Sequence, residues 1–259
     1  MTANLVAALV AGLAGVAFGA LAAYIGEAAL ARRRVKVACP YCTAPYSPVQ
    51  WSALVAVATG QGRCAACNRF LRVPRLIGEL FLALAWGLLV GFYGLTPRTL
   101  LALVAFFPQA IILVTDLEAK LIPNRVMLPS LLAMVVIGTL VGPAVPAVNA
   151  WRWWTTLVGA AIGFTTFRLL VWLGVALFGE GALGEGDITL AAYVGAVVGF
   201  PLIIESLLLA FTFGGIGAAA VLLLRRGKLG TAIPYGPFII LGCATTMLFG
   251  AELLLWLAN

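Results

Sequence analysis

The chain has no histidine in 259 residues. That excludes a serine–histidine dyad, a cysteine–histidine dyad and an HExxH metal site. Any hydrolytic chemistry must then use carboxylates, or a metal held by other ligands. Carboxylates are scarce too: nine in all, of which only Asp116 and Asp187 are aspartates. Charged residues make up 10% of the chain, against about 25% in a soluble domain. Hydrophobic residues make up 63%, and mean hydropathy is +1.11. So little polar surface cannot cover a globule, so a lipid bilayer must be the solvent.

The sequence does contain long apolar runs. A helix needs about 20 apolar residues to cross a ~30 Å hydrocarbon core. Eight runs qualify or nearly so: 4–25, 76–94, 99–115, 126–146, 153–178, 188–200, 202–224 and 233–257. The sixth is short, and Pro201 marks a turn or the break of a hairpin there. The expected fold class is all-α, a polytopic transmembrane bundle of about eight helices. It divides into a first membrane helix at 1–30, a polar loop at 31–75 and a membrane core at 76–259.

Net charge is +7, and its placement matters more than its size. Thirteen of the 16 Lys/Arg lie in four short segments, 32–36, 63–75, 120–125 and 225–228. That is a topology signal, not a nucleic-acid footprint, so no nucleic-acid partner is expected. The first run lacks a basic region ahead of it, and its basic cluster follows. It reads as an anchor with the N-terminus outside, not as a cleaved signal peptide. Threading from there puts 26–75, 116–125, 179–187 and 225–232 inside, and Trp151, Trp153, Trp154 and Trp256 at outer ends, where aromatic belts form. Arg168 falls deep in the fifth run and should face the protein interior.

That threading uses only basic residues, yet it places both aspartates. Asp116, in TDLEAKLIPN, ends the third run on the inside; Asp187, in GALGEGDITLA, opens the sixth on the same side. Each alone has a bland explanation, a helix cap or a boundary charge. Together, at one depth, they can share a proton: one draws a proton from water as it attacks a carbonyl, and the other protonates the carbonyl oxygen. Gly181, Gly184 and Gly186 precede Asp187 and permit positive φ or close backbone approach. Glu118 and Glu185 flank the pair as candidates for tuning or substrate contact, with solvation of a loop as the simpler role. Glu79 suggests a local role such as pairing with Arg75.

Four of the five cysteines form two pairs, CPYC at 39–42 and CAAC at 64–67. A CxxC turn aims two thiolates at one ion, so Cys39, Cys42, Cys64 and Cys67 are expected to hold a structural Zn²⁺. Their loop is predicted to face the cytosol, where disulfides do not persist. It is also too small to fold without a staple. Cys243 reads as a small buried hydrophobe.

In several ordered motifs the chain resembles the type IV prepilin peptidase family. CPYC followed by GRCAACNRFLRVPRLIGELF is similar to that family's cytosolic zinc loop. TDLEAKLIPN is similar to its first aspartate motif, ALGEGDITLAAYVGAVVG to its GxGD motif, and IPYGPFIILG to its last-helix motif. The resemblance implies an aspartic endopeptidase of the bacterial cytoplasmic membrane, with Asp116 and Asp187 as the catalytic pair. It would remove short, positively charged leaders from prepilins or pseudopilins at the cytosolic face. Many members also N-methylate the new N-terminus with S-adenosylmethionine. The sequence departs from the family pattern in three places. Thr189 stands where a lysine is usual, the first helix lacks the Ser-Phe-x-Asn pattern, and the stretch between the CxxC pairs lacks Asn-x-Pro. The last two fall in the part associated with methylation. Two rivals stay open: a proton-coupled transporter, which would place its carboxylates near mid-bilayer, and a catalytically idle pilus or secretion assembly homologue.

Overall fold

A computed structural model describes residues 2–31, 38–39, 41–145, 152–178, 184–224 and 234–257. Gly181, Trp151 and the basic segments 32–36 and 225–228 lie outside the described residues. The described residues are helical almost throughout, with only two isolated β-bridges. The helices are α1 (Thr2–Ala31), α2 (Ala53–Ala58), α3 (Val73–Tyr93), α4 (Pro97–Ala119), α5 (Asn124–Val141), α6 (Trp153–Phe178), α7 (Glu185–Val198), α8 (Leu202–Leu224) and α9 (Gly236–Leu257). Each of the eight expected apolar runs is a helix; α2 is an addition inside the cysteine loop. Six helices are long and apolar enough to cross a membrane among the described residues. The chain is a multi-pass membrane protein.

Two boundaries differ from expectation, and both bear on the site. α4 continues through Leu117, Glu118 and Ala119, all good helix formers, so Asp116 lies inside its last turn. Lys120 then closes the helix in the left-handed conformation (φ 52°), its N–H donating to the Asp116 carbonyl at 2.8 Å. α7 starts three residues earlier than its apolar run. Gly184 becomes the cap, and Asp187 becomes the third helical residue rather than the cap itself.

α4 and α7 are the enclosed helices of the bundle. α7 is apolar all round and buried all round, packed by α5, α6, α8 and α9. Its 14 residues make only about 21 Å of helix. α6 grips it closely: Gly159 and Gly163 set their backbones against Gly195 and Ala191, where a Cβ on either glycine would collide with backbone. At the other end of α7, the Phe200 N–H donates to the Thr155 carbonyl at 2.9 Å, and the Ala144 N–H to the Val197 carbonyl at 2.8 Å.

Arg168 does not face the interior. It sits on the exposed side of α6, between exposed Leu169 and Phe164. The inward stripe of α6 is taken by Gly159, Gly163 and Phe167, which leaves no room for a guanidinium there. A long side chain on that outer face can run along the helix toward the headgroups.

Candidate active site and cysteine cluster

Asp116 and Asp187 are 71 residues apart in sequence and come together inside the bundle. They are 5% and 7% exposed and close enough to interact electrostatically. Each carboxylate is held by one backbone amide through its Oδ2. Asp116 accepts the Gly236 N–H at 3.0 Å, at the first residue of α9. Asp187 folds back to accept the Gly184 N–H at 3.2 Å, at the cap of its own helix. Among the described residues, no hydrogen bond to the other oxygen of either aspartate is seen. Lys120 and Tyr235 interact electrostatically with Asp116 and Asp187 respectively.

Gly236 is the contact that sequence reasoning missed. A Cβ built on it would lie 2.6 Å from Asp116 Oδ2, so only glycine allows the start of α9 to sit on this carboxylate. The motif IPYGPFIILG was visible, but which side chain its glycine serves depends on how α9 packs against α4. Gly184 and Gly186 do not use positive φ. Gly186 instead lets the first turn of α7 press on Ile122, whose Cβ would lie 2.6 Å from an added methyl. That contact holds the turn after Asp116 against the helix that carries Asp187. Thr189 donates to the Gly186 carbonyl at 2.8 Å, a bond within its own helix.

The flanking glutamates separate. Glu185 is exposed at the first residue of α7. Glu118 is partly buried and pairs with Arg72, tying the end of the cysteine loop to the last turn of α4. Glu79 does not take Arg75 as its partner. It is fully buried and accepts the Ser52 hydroxyl at 2.6 Å and the amides of Ala53 and Leu54, both at 2.8 Å. A carboxylate from α3 thus supplies acceptors for the orphan amides that open α2. Arg75 donates to the Trp51 carbonyl at 3.0 Å, lies 3.8 Å from Glu27, and its guanidinium sits over the Tyr46 ring.

The four cysteines converge as two copies of one turn. In the first, the Cys39 N–H donates to the Ala44 carbonyl and Thr43 to Cys39; in the second, Cys64 donates to Arg69 and Asn68 to Cys64. Thr43 (φ 60°) and Asn68 (φ 56°) are left-handed at matching positions. The sulfurs all lie within 4.8 Å of one another, with Cys39–Cys67 at 3.6 Å and Cys42–Cys64 at 3.5 Å. Around an ion with ~2.3 Å metal–sulfur bonds, tetrahedral ligands stand about 3.8 Å apart. Four thiols at nearly that spacing can hold a metal ion. Amides of Cys67 and Ala66 donate toward Cys64 and pull its thiol down to about 6, which favours the thiolate a metal needs. A small apolar cluster of Tyr46, Ala53, Ala56 and Leu71 packs beneath them. Cys243 is fully buried in α9, its sulfur 3.5 Å from the Gln109 amide nitrogen.

Comparison with known proteins places this architecture. The model of the type IV leader peptidase family matches residues 103–219, a span that contains both aspartates. Similar proteins include a prepilin leader peptidase/N-methyltransferase of Pseudomonas putida, 27% identical over 74% of this chain and 65% of its own length. Another from Bacillus subtilis (strain 168) is 28% identical over 83% of this chain and 82% of its own. A third, from Aeromonas salmonicida (strain A449), is 29% identical over 84% and 72%. The chain spans just under two thirds of the Pseudomonas putida protein. No solved structure matches. With all four motifs in order and these relatives aligned across most of its length, the chain is similar to the type IV leader peptidase family.

Proposed function

We propose that this protein is a membrane aspartic endopeptidase that removes leader peptides from prepilins or pseudopilins, with Asp116 and Asp187 as the catalytic pair. One observation carries the reading: the only two aspartates of the chain are both buried in the bundle, near enough to interact electrostatically, and each accepts a backbone amide. Two interacting carboxylates can share one proton. The ionised member takes a proton from the attacking water, and the protonated member donates to the scissile carbonyl oxygen. The newly protonated member then gives its proton to the leaving amine as the C–N bond breaks, while the other recovers a proton from a hydroxyl of the tetrahedral intermediate, which restores the starting state. The bundle supplies exclusion of bulk water, so the charge that develops on the carbonyl is felt at low dielectric.

The positive-inside distribution supports an outside N-terminus in the bacterial inner membrane, with the pair at the cytosolic face. In this reading the first helix at 1–30 and the core at 76–259 form the peptidase bundle, and 31–75 forms a cytosolic module stapled by metal. Cys39, Cys42, Cys64 and Cys67 would hold Zn²⁺, whose chemistry there is structural because four thiolates leave no open position. Gly184 and Gly186 shape the entry to α7. Glu118 supports the site through Arg72, while Glu185 stands free at the rim to meet substrate. The relatives' names extend to N-methyltransferase, and S-adenosylmethionine would be the methyl donor if this chain shares that activity.

The test incubates purified protein in detergent with a prepilin-type substrate and reads product masses, beside Asp116→Asn and Asp187→Asn. Loss of a leader-sized fragment with the wild type, absent with both variants, supports the reading. Normal cleavage by either variant overturns the catalytic pair. A further gain of about 14 Da with S-adenosylmethionine would report methylation.

A further inference from the structure

The cysteine module carries a surface that neither the cysteines nor the aspartates use. No acidic residue occurs between Glu27 and Glu79, while eight Lys/Arg do. Apolar side chains are exposed among them. The cluster beneath the cysteines is small, and Trp51 (56% exposed), Val55, Val57 and Phe70 stay outside it. Part of this set forms one patch. Arg63 pairs with Phe70 across an isolated antiparallel bridge, so their side chains leave on one side, and a Cβ on Gly62 would touch both Val57 and Phe70. The Arg63 guanidinium reaches only the Asn68 carbonyl, at 3.4 Å, and Arg69 lies over the Tyr41 ring, 4.6 Å from its centre. Among the described residues, neither arginine meets a carboxylate.

The depth of the module is set by Glu79. α3 and α4 run antiparallel across a short connection, and Gly78 packs on Val114. From that contact Asp116 lies two residues toward one end of the bundle, and Glu79 one residue toward the other. Glu79 is therefore about 4.5 Å deeper in the bundle than Asp116, at ~1.5 Å of rise per residue. It is also the fourth residue of the apolar run that begins at Leu76. The Ala53 and Leu54 amides reach it at 2.8 Å, so the opening of α2 lies at that depth too. A loop standing clear of the bilayer would not be pinned inside an apolar run.

Trp51 directly precedes this opening, and its carbonyl is held by Arg75 of α3. An exposed tryptophan at the start of an apolar run sits at headgroup level, where such rings are favoured. Arginines at that level have lipid phosphates within reach. Topology accounts for the sign of the charge in this segment, but not for the apolar side chains exposed among it. A soluble acidic partner would account for the arginines, but not for a tryptophan at this depth.

We propose that the cysteine module is seated in the membrane surface: Trp51, Val55 and Val57 enter the boundary between headgroups and acyl chains beside α3, and Arg63 and Arg69 bind the phosphates of anionic lipids. The proposal rests on the multi-pass fold and not on the peptidase reading, so it is tested without a cleavage assay. Arg72, at the end of the same module, pairs with Glu118, so the seat also steadies the last turn of α4.

The experiment measures amide hydrogen exchange over residues 51–72 of the full chain in lipid nanodiscs, either of phosphatidylcholine alone or with about 40% phosphatidylglycerol. The expected result is exchange slowed about threefold or more by the anionic lipid, with the slowing lost as salt is raised. Arg63→Gln/Arg69→Gln should lose the slowing while exchanging like wild type in detergent. Equal exchange in the two lipids overturns the anionic seat, and slowing that persists in the double variant overturns the role of the two arginines. Slowing by soluble polyglutamate but not by the anionic lipid overturns the seat in favour of an acidic protein partner. A second measurement needs no charge variant: a photoreactive benzophenone at exposed position 57 should form adducts with lipid. Adducts only with protein, or none, overturn the insertion of α2.

Discussion

Replacing Gly236 with alanine tests the site at its tightest point. The added methyl would lie 2.6 Å from Asp116 Oδ2 and 3.2 Å from its carboxyl carbon, about 0.8 Å short of the 3.4 Å at which ordinary contact begins. Neither neighbour yields easily. Asp116 is 5% exposed within the last turn of α4, and α9 is fixed along its length against α8, α7 and α4. Either the carboxylate rotates away or α9 lifts, and both break the 3.0 Å bond from the Gly236 N–H. A displacement approaching 1 Å in a catalytic group costs about 10²-fold in rate, or about 2.7 kcal/mol of activation free energy. Stability should change far less, because alanine at a helix start recovers up to about 1 kcal/mol of the backbone entropy that glycine wastes. The assay is kcat/KM on a prepilin-type substrate, read beside a thermal melt. Gly215→Ala, with open space around it in α8, serves as the control and should keep full activity. Gly236→Ala cleaving within threefold of wild type would refute the reasoning: the start of α9 would then not be part of the working site.

Three other outcomes test the surroundings. Cys39→Ser should lower bound zinc from one per chain toward none, and a strong chelator should loosen the 38–72 loop while far-UV circular dichroism of the bundle stays nearly unchanged; undiminished zinc in the variant would remove the four-cysteine site. Glu79→Ala removes three hydrogen bonds to the start of α2 and strands buried amides, at about 1–3 kcal/mol each, so limited proteolysis should cut the loop much faster than in wild type. Arg168→Leu on the exposed face of α6 should leave cleavage unchanged and the thermal midpoint equal or higher; a clear loss of activity would show that the guanidinium serves the site.

Most of the fold was legible because apolar run length is a one-dimensional signal. All eight runs became helices, and the cysteine spacing alone foretold that Cys39, Cys42, Cys64 and Cys67 converge. What stayed hidden depended on faces rather than runs. Arg168 was expected inside because its run is apolar all round, and a run with no polar stripe does not say which side is buried. Packing by Gly159 and Gly163 decided that. Glu79 was misjudged for a related reason: Arg75, one turn away on the same helix, is the obvious partner in sequence, while its real partners are amides 25 and more residues upstream. The aspartates stood out because they are the only two in the chain, and the structure buries both near one another. The amides that hold them, Gly236 above all, were not marked as partners, since a backbone donor has no side-chain signature.

The shortness of α7 also bears on mechanism. A carboxylate at membrane depth is costly, and the usual escape is to reach the interface. α7 forecloses that escape. Gly199, Thr155 and Ala144 hold its far end, and its 14 residues make about 21 Å, roughly 9 Å less than the hydrocarbon core is thick. Asp187 therefore sits buried in the first turn of a short helix, two residues after exposed Glu185. α4, at 23 residues, is long enough to span, yet its carboxylate is placed within the last turn rather than after it and comes near Asp187 there. Two helices of unequal length thus bring two acids to one buried depth. The capping amides of Gly184 and Gly236 each satisfy an oxygen without neutralising a charge. In the proposed mechanism, these amides would hold the pair buried and oriented while it exchanges a proton.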